Sequence, residues 1–310
     1  MQKIKFEKNN SDMKSGSVIC FGEVLWDLLP TGQKPGGAPM NVAIHLKQQG
    51  QNPILISKIG NDNEGIELLE FLRNSGLNTD FVKTDPKLPT NKVLVHLDKN
   101  KNATYEICEP VAWDNIQIHD LNPLIFDQAD IFIFGSLASR NQTTRNTLLQ
   151  VLNQTKATKL CDINLRSPFV KKEVIDTLLE RSDFVKLNDD ELKIIAYWKN
   201  FTGNEKERIL WLSEQYKCPS ICVTRGKNGA ILYYHNHLYE HPGFSVKAVD
   251  TVGAGDSFLA SLISGLIQNI APEKALELAC ATGAFVATQT GAVPIYNLSD
   301  IETIINTKKI

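Results

Sequence analysis

The chain has 310 residues, 42% of them hydrophobic and 22% charged, which is ordinary for a globular protein of one or two domains. A formal net charge of −2 and a pI near 6.3 give no electrostatic basis for binding nucleic acid or a membrane surface. The six cysteines are scattered without a C-x-x-C pair, which argues against a zinc site or a disulfide framework and favours reduced thiols in the cytoplasm.

The N-terminal stretch 1–16 is polar and has no apolar core of the kind that a signal peptide needs, so we expect a frayed extension there. Beyond it, short β-branched runs alternate with helix-like segments at 64–76, 141–155, 171–180 and 204–217. This alternation predicts one α/β domain over 17–310 with a mostly parallel sheet. The strand-like runs are SVICFGEVLWDLL, PILISKIG, DIFIFGSLA, TKLCDIN, SDFVKLN and SICVTRG.

Two regions interrupt the alternation. Residues 27–37 are rich in glycine and proline and are expected to form a loop after the first strand. Residues 88–112 resemble a β-hairpin whose turn is DKNKN. Neither region fits a βα unit, so we expect both to fold over one edge of the sheet as a small β lid.

The segment GGAPMNVAIHLKQQG, residues 36–50, has the features of a helix that begins near Pro39 and stops at Gly50. Asn41 falls in its first turn, where an amide is available to a ligand. Upstream, Glu23 and Asp27 lie near the end of the first strand, where α/β proteins place ligands. Carboxylates at that point are suited to sugar hydroxyls, because one carboxylate accepts two O–H bonds.

The segment DTVGAGDSF, residues 250–258, places small residues and a carboxylate just before a long apolar-periodic stretch. Asp256 there has two interpretations: an ordinary helix N-cap, or part of an anion site at the helix N-terminus. The sequence has neither a P-loop nor a G-x-G-x-x-G after its first strand. The small residues Gly253, Ala254 and Gly255 are therefore the best candidates for a phosphate-binding segment.

These two segments resemble the two signatures of the ribokinase-like (PfkB) carbohydrate kinases, in the same order and over nearly the whole chain, from about residue 17 to 300. The resemblance implies a three-layer α/β fold, ATP as co-substrate and Mg²⁺ as cofactor. It implies that Asp256 is the catalytic base. It also implies that the backbone N–H groups of Gly253, Ala254, Gly255 and Asp256 form the anion hole.

Smaller motifs gain roles from the same resemblance. In DINLR, Arg166 would lie near the substrate or the transferred phosphate, unless it forms a surface ion pair. In NDDE, Glu191 would organise Mg²⁺ through water, whereas Asn188 would face the nucleotide or simply cap a helix. The TRGKNGA loop would border ATP, and Asp250, with backbone groups near Ala287 and Gly291, would help to hold a monovalent cation such as K⁺. The residues implied in ATP binding are Asn188, Thr224, Gly226, Gly229, Gly253 and Gly255.

Within the family, the chain looks most like the bacterial fructokinases, which implies phosphorylation of D-fructose at its 6-hydroxyl. Ribokinase and 2-keto-3-deoxygluconate kinase activities are the alternatives, and a non-catalytic sugar- or nucleotide-binding regulator is a remote one. The resemblance also implies small-molecule partners only, with a monomer or homodimer as the assembly. The residues implied in sugar binding are Asp27, Gly36, Gly37, Asn41, Tyr105, Arg166 and Asp256.

Overall fold

The computed structural model describes residues 17–29, 32–97 and 103–306. The strands are β1 Ser17–Phe21, β2 Leu25–Leu29, β3 Gly32–Gly36, β4 Asn52–Gly60, β5 Val82–Asp85, β6 Asn91–Leu97, β7 Ala103–Ile107, β8 Ile131–Gly135, β9 Thr158–Asp162, β10 Phe184–Asn188, β11 Ser220–Thr224, β12 Ala230–Tyr234 and β13 His237–His241. The helices are α1 Ala38–Gln48, α2 Asn63–Asn74, α3 Leu124–Gln128, α4 Gln142–Gln154, α5 Lys172–Leu179, α6 Asp189–Trp198, α7 Glu205–Tyr216, α8 Ala254–Ile267, α9 Pro272–Ala287 and α10 Leu298–Asn306.

A nine-stranded sheet forms the centre of the molecule, in the order β13-β12-β11-β10-β9-β8-β1-β4-β5. All strands from β11 to β5 pair in parallel, and β12 and β13 add an antiparallel hairpin at one edge. The carboxyl ends of the parallel strands consequently meet along one edge, which is where sheets of this type bind ligands.

Helices cover both faces of this sheet. Along β1, Val18 and Cys20 join one core cluster while Ile19 and Phe21 join the other, because successive side chains of a strand point to opposite faces. The first cluster includes residues of α1, α2, α8, α9 and α10, and the second includes residues of α3, α4, α5, α6 and α7. The predicted three-layer architecture is confirmed. Within the described residues, no helix is long and apolar enough to cross a membrane.

The first strand ends at Phe21, and β2 begins at Leu25 in another sheet. The prediction of one strand through SVICFGEVLWDLL is therefore wrong. Gly22 has φ of +146° and faces Pro39, whose Cγ would lie 2.8 Å from any Cβ at that position. The backbone therefore turns at Gly22 and leaves the central sheet. This turn places Glu23 at the carboxyl edge of the sheet.

A second, four-stranded sheet has the order β3-β2-β6-β7. The prediction of an irregular loop at 27–37 is wrong, because most of this segment forms the antiparallel pair β2–β3. The strands β6 and β7 pair antiparallel as the hairpin prediction required, and β2 pairs in parallel with β6. Residues 98–102, the predicted turn, and residues 1–16, the predicted extension, lie outside the described residues.

Candidate active site

The first turn of α8 lies at the carboxyl edge of the central sheet, and the candidate site is built around it. Gly253 is the N-cap with φ of +77°, and a Cβ there would lie 2.2 Å from the carbonyl oxygen of Ala292. Only glycine fits this position. The first N–H groups of a helix have no acceptor within the helix and carry its positive dipole end. The N–H of Ala254 donates at 3.3 Å to the Thr251 carbonyl in a tight turn.

Asp256 is in the first turn of α8 but is not its N-cap, so the simple capping interpretation is wrong. Its Oδ2 accepts a hydrogen bond of 2.8 Å from Nδ2 of Asn41, on α1. Burial raises the pKa of Asp256, and the Lys186 ammonium, the Asn41 hydrogen bond and Arg166 act in the opposite direction. The structure thus joins the two segments singled out in the sequence, GGAPMNVA and DTVGAGDSF, through one contact.

Asp27 and the two glycines at 36 and 37 lie where the four-stranded sheet meets the start of α1. A Cβ on Gly36 would lie 2.5 Å from Oδ2 of Asp27, and a Cβ on Gly37 would lie 2.5 Å from the carbonyl of Glu23. The glycine pair therefore lets the carboxylate of Asp27 and the turn at Glu23 approach the start of α1. Burial raises the pKa of Asp27 to about 6, and Arg166 opposes the shift. Tyr105 belongs to β7, and its side chain lies outside the described residues.

Glu23 is a deeply buried carboxyl group in the site, with 3% of its surface exposed. Burial raises its pKa to about 7, against the hydrogen bonds of the Glu23 and Ala38 N–H groups and the charge of Arg166. The carboxyl group thus lies beside the first residue of α1, and its Oε2 is buried without a hydrogen-bond partner among the described residues. The position of Glu23 in the sequence, near the end of the first strand, suggests a ligand site but gives no sign of this unpaired oxygen.

Arg166 is exposed, and its Nη1 donates a long hydrogen bond of 3.4 Å to the Leu165 carbonyl. Its charge influences the pKa values of Glu23, Asp27 and Asp256 without direct contact. The structure therefore brings Arg166 to the site but leaves its guanidinium free to turn towards a ligand.

Asn188 and Glu191 form a reciprocal capping box at the start of α6. Each side chain accepts the other residue's backbone N–H at 2.8 Å, and Oε1 of Glu191 also accepts the N–H of Leu165 at 2.7 Å. Burial raises the pKa of Glu191, while the Asn188 N–H and the Lys186 charge oppose the shift. Both carboxylate oxygens thus already serve the backbone, which fits a contact to Mg²⁺ through water better than direct ligation.

A cavity of about 540 Å³ opens on the other side of the first turn of α8. Thr224, Gly226, Gly229 and Gly255 line it, whereas Asn188 and Gly253 are not among its lining residues in the described part of the chain. At Gly229 a Cβ would lie 2.0 Å from the His241 carbonyl oxygen, so the backbone of this loop packs directly against the last residue of β13. The rest of the wall is mainly small or apolar and includes Phe258, Cys280, Gly283, Ala284 and Ala287.

Asp250 connects the start of this region to the loop after α9. Its Oδ2 accepts the N–H of Gly291 at 3.1 Å, and its Oδ1 accepts the N–H of Val252 at 3.1 Å. The carbonyl of Ala287 accepts the N–H groups of Val249 and Asp250. The predicted neighbours of a monovalent cation do come together, and internal hydrogen bonds already join them.

Residues 16–297 match the family model of the pfkB family carbohydrate kinases. The chain belongs to this family. As a pfkB family carbohydrate kinase, it is a phosphotransferase with an alcohol group as acceptor. A fructokinase of Solanum tuberosum is 29% identical over 309 residues, which cover 92% of this chain and 94% of the relative.

Solved structures agree with the family at the level of the fold. Fructokinase from Xylella fastidiosa with bound ATP superposes with a TM-score of 0.85 at 23% identity and covers 94% of this chain and 98% of its own. A double mutant of fructokinase from Vibrio cholerae, with fructose, ADP and potassium ion bound, gives a TM-score of 0.85 at 24% identity and covers 96% and 100%. The chain therefore has the ribokinase-like fold that its sequence predicts.

Two residues that the sequence analysis did not assign to the site lie within it. Lys186 on β10 and Asp162 on β9 form a buried ion pair with Nζ at 3.0 Å from Oδ1. The sequence contained one signal: Lys186 interrupts the otherwise apolar run FVKLN, and a charge in such a strand requires a partner.

Proposed function

We propose that this pfkB family kinase transfers the γ-phosphoryl group of ATP to the 6-hydroxyl of D-fructose. The hydrogen bond between Asn41 and Asp256 carries the proposal, because it holds a sugar-side helix against the helix N-terminus expected to face the phosphates. Support for fructose comes from relatives named fructokinase at 28–29% identity over about nine-tenths of the chain. ATP is supported by the cavity beside Gly255 and by the ATP-bound relative of the same fold.

In the proposed reaction the fructose 6-hydroxyl oxygen attacks the γ-phosphorus, and the bond from that phosphorus to the β–γ bridging oxygen breaks. Asp256 accepts the hydroxyl proton at Oδ1, since Asn41 holds Oδ2. ADP leaves with the bridging oxygen. The backbone from Gly253 to Asp256 directs the helix dipole and the N–H groups of Gly255 and Asp256 at the transferred phosphoryl group, and Arg166 adds a positive charge.

On the sugar side, we assign the hydroxyl contacts to Asp27, Asn41 and the backbone of Gly36 and Gly37, with Tyr105 covering the sugar from β7. The four-stranded sheet acts as the lid. Trp26 ties it to α2 through a hydrogen bond of 2.9 Å from Nε1 to the Glu64 carbonyl. Closure of the lid would exclude water and limit hydrolysis of ATP.

Mg²⁺ is proposed as the cofactor, with Glu191 holding it through water. Mg²⁺ keeps several waters and takes few protein ligands beside substrate phosphates. This fits the described residues, among which no three His, Cys, Asp or Glu side chains form a metal-binding group. When bound, Mg²⁺ neutralises charge on the phosphates. The site of Asp250, Ala287 and Gly291 is proposed for K⁺, an ion that one fructokinase of the same fold binds.

A cytoplasmic location is also proposed, on the ground that all six cysteines are free and five of them are buried. The assembly, monomer or homodimer, stays a prediction.

The test is ADP release from MgATP with fructose, ribose, 2-keto-3-deoxygluconate and no sugar. Fructose should give the highest kcat/KM. In Asp27→Asn the KM for fructose should rise at least about tenfold, because a hydrogen bond to a charged group is lost, while the KM for ATP stays unchanged. A higher kcat/KM for another sugar would replace the substrate and keep the kinase. Binding of ATP without any sugar-stimulated turnover would favour the non-catalytic regulator.

A further inference from the structure

Lys186 and Asp162 form a buried charge pair directly beneath the first turn of α8. They are opposite each other in the parallel register of β10 and β9. The ammonium lies 3.0 Å and 3.2 Å from the two carboxylate oxygens, with 7% of Lys186 and 3% of Asp162 exposed. Both oxygens of Asp162 thus hold Nζ in one position.

Gly255 shows where this ammonium points. A Cβ at Gly255 would lie 3.3 Å from Nζ of Lys186, so the absence of a side chain lets the helix turn approach the charge. Phe184, two residues before Lys186, packs in the same core cluster as the buried face of α8. Since side chains two apart in a strand share a face, Lys186 extends from the sheet towards α8. Asp256 is the residue next to Gly255.

The two cations near Asp256 differ in how firmly they are held. Arg166 is exposed and its guanidinium is free to move, so solvent and salt screen its charge. Lys186 is buried and fixed, and a charge in such surroundings acts more strongly over the same distance. The lysine is therefore the permanent positive charge behind the anion hole.

We propose that Lys186 is a positioning residue: held by Asp162 beneath Gly255, its ammonium keeps the Asp256 carboxylate ionised, ready to accept the hydroxyl proton. The inference rests on the proposed function, in which Asp256 is the base. It also assigns a purpose to the buried Asp162, which is to fix the ammonium between the sheet and α8.

The charges that face Asp256 from each neighbouring element support this assignment. Burial raises the pKa of Asp256, and the charge of Lys186 from β10 is the strongest opposing influence, followed by Asn41 from α1 and Arg166 after β9. The charge of Asp256 in turn raises the pKa values of its carboxyl neighbours Glu23 and Asp162. Burial also disfavours the charge on Lys186, but Asp162, Asp256 and Glu191 outweigh it and raise its pKa.

The test compares Asp162→Asn with the double variant Asp162→Asn/Lys186→Met. Both lack the Asp162 carboxylate, so the difference between them isolates the effect of the lysine charge on Asp256. The carboxyl ¹³C signal of Asp256, identified by its loss in Asp256→Asn, is titrated in each protein. The apparent pKa should be higher by about one unit or more in the double variant, as expected for loss of a nearby opposite charge. The acid limb of the pH profile of kcat/KM should move with it.

Lys186→Arg in the wild-type background should keep the acid limb within about 0.3 unit of wild type, because it retains the charge. Asp162→Asn/Lys186→Gln repeats the comparison with a hydrogen-bonded amide pair, which covers the case in which the methionine variant does not fold. Apparent pKa values of Asp256 that agree within about 0.3 unit in the single and double variants would overturn the proposal. Because the ¹³C titration needs no turnover, it decides the role of Lys186 even if no sugar is phosphorylated.

Discussion

The two sides of the first turn of α8 differ in the residues that form them. On the proposed sugar side, Glu23, Asp27 and Asp256 are carboxyl groups whose pKa values burial raises. On the proposed nucleotide side, the wall of the cavity of about 540 Å³ is mainly glycine backbone and small or apolar side chains, with Lys227 and Asn228 as longer polar members. We therefore expect the sugar side to depend on functional groups and the nucleotide side to depend mainly on shape.

This difference has a direct consequence for mutagenesis. Removing a functional group while keeping its volume should damage the sugar side. Adding a Cβ where there is no room should damage the nucleotide side, while removing a side chain there should do little.

Asp256→Asn is expected to have the largest effect, a fall in kcat of at least about 100-fold, because the amide cannot accept the hydroxyl proton. The measurement is ADP release with MgATP and fructose. Asp190→Asn, at an exposed position on α6, is the matched control and should keep the wild-type rate. A kcat within tenfold of wild type in Asp256→Asn would contradict the role of the carboxylate.

Gly229→Ala should lower the free energy of unfolding by at least about 3 kcal/mol, in the range of severe backbone strain and overpacking. The φ of +79° and the 2.0 Å approach to the His241 carbonyl are the cause. Gly226→Ala is the control, because Gly226 also has a positive φ of +55° but has nothing within 4 Å of an added Cβ. This substitution should lower the free energy of unfolding by about 1 kcal/mol. Equal losses by urea denaturation would show that the close approach at Gly229 is unimportant.

Glu23→Gln tests the confined carboxyl group through the pH dependence of stability. The pKa of Glu23 is about 7 in the folded chain and 4.5 in an ordinary setting. A raised pKa means that its contribution is fully present below pH 4.5 and is lost as the pH rises through 7. Relative to the glutamine variant, the wild type should lose up to about 3 kcal/mol over that window. A constant difference in unfolding free energy between pH 4.5 and 8 would refute the assignment.

Cys280→Ala should have the smallest effect, because it only trims the wall of the nucleotide cavity. We expect a change of less than about threefold in the KM for ATP, which corresponds to about 0.7 kcal/mol. The KM for fructose should stay the same. An ATP KM raised tenfold or more would mean that the nucleotide side depends on specific side-chain contacts, and the contrast between the two sides would fail.

Much of the layered fold could be predicted from the sequence, because buried parallel strands such as DIFIFGSLA read as continuous apolar runs. The break after Phe21 could not, since it depends on the packing of Gly22 against Pro39. The strands in 27–37 could not be predicted from the sequence for a related reason. Glycine and proline usually indicate a loop, and β3 exists only through its pairing with β2.

The candidate site shows the same division. Asn41 and Asp256 stand out because each falls in a distinctive motif at a helix start. Lys186 and Asp162 do not, because a single strand lysine has no visible partner until the register of β9 and β10 is known. The capping box of Asn188 and Glu191 was foreseeable from its spacing. The further contact of Glu191 with the Leu165 N–H was not, since it links two separate strand ends.

The transfer of phosphate to fructose can be followed directly by ³¹P NMR of the wild-type protein with MgATP, recorded with and without fructose. We expect the γ-phosphate signal of ATP to be replaced by that of fructose 6-phosphate, one for each ADP formed, and ATP to persist when sugar is omitted. Release of inorganic phosphate at the same rate with and without sugar, or no loss of ATP with any sugar tested, would contradict this expectation.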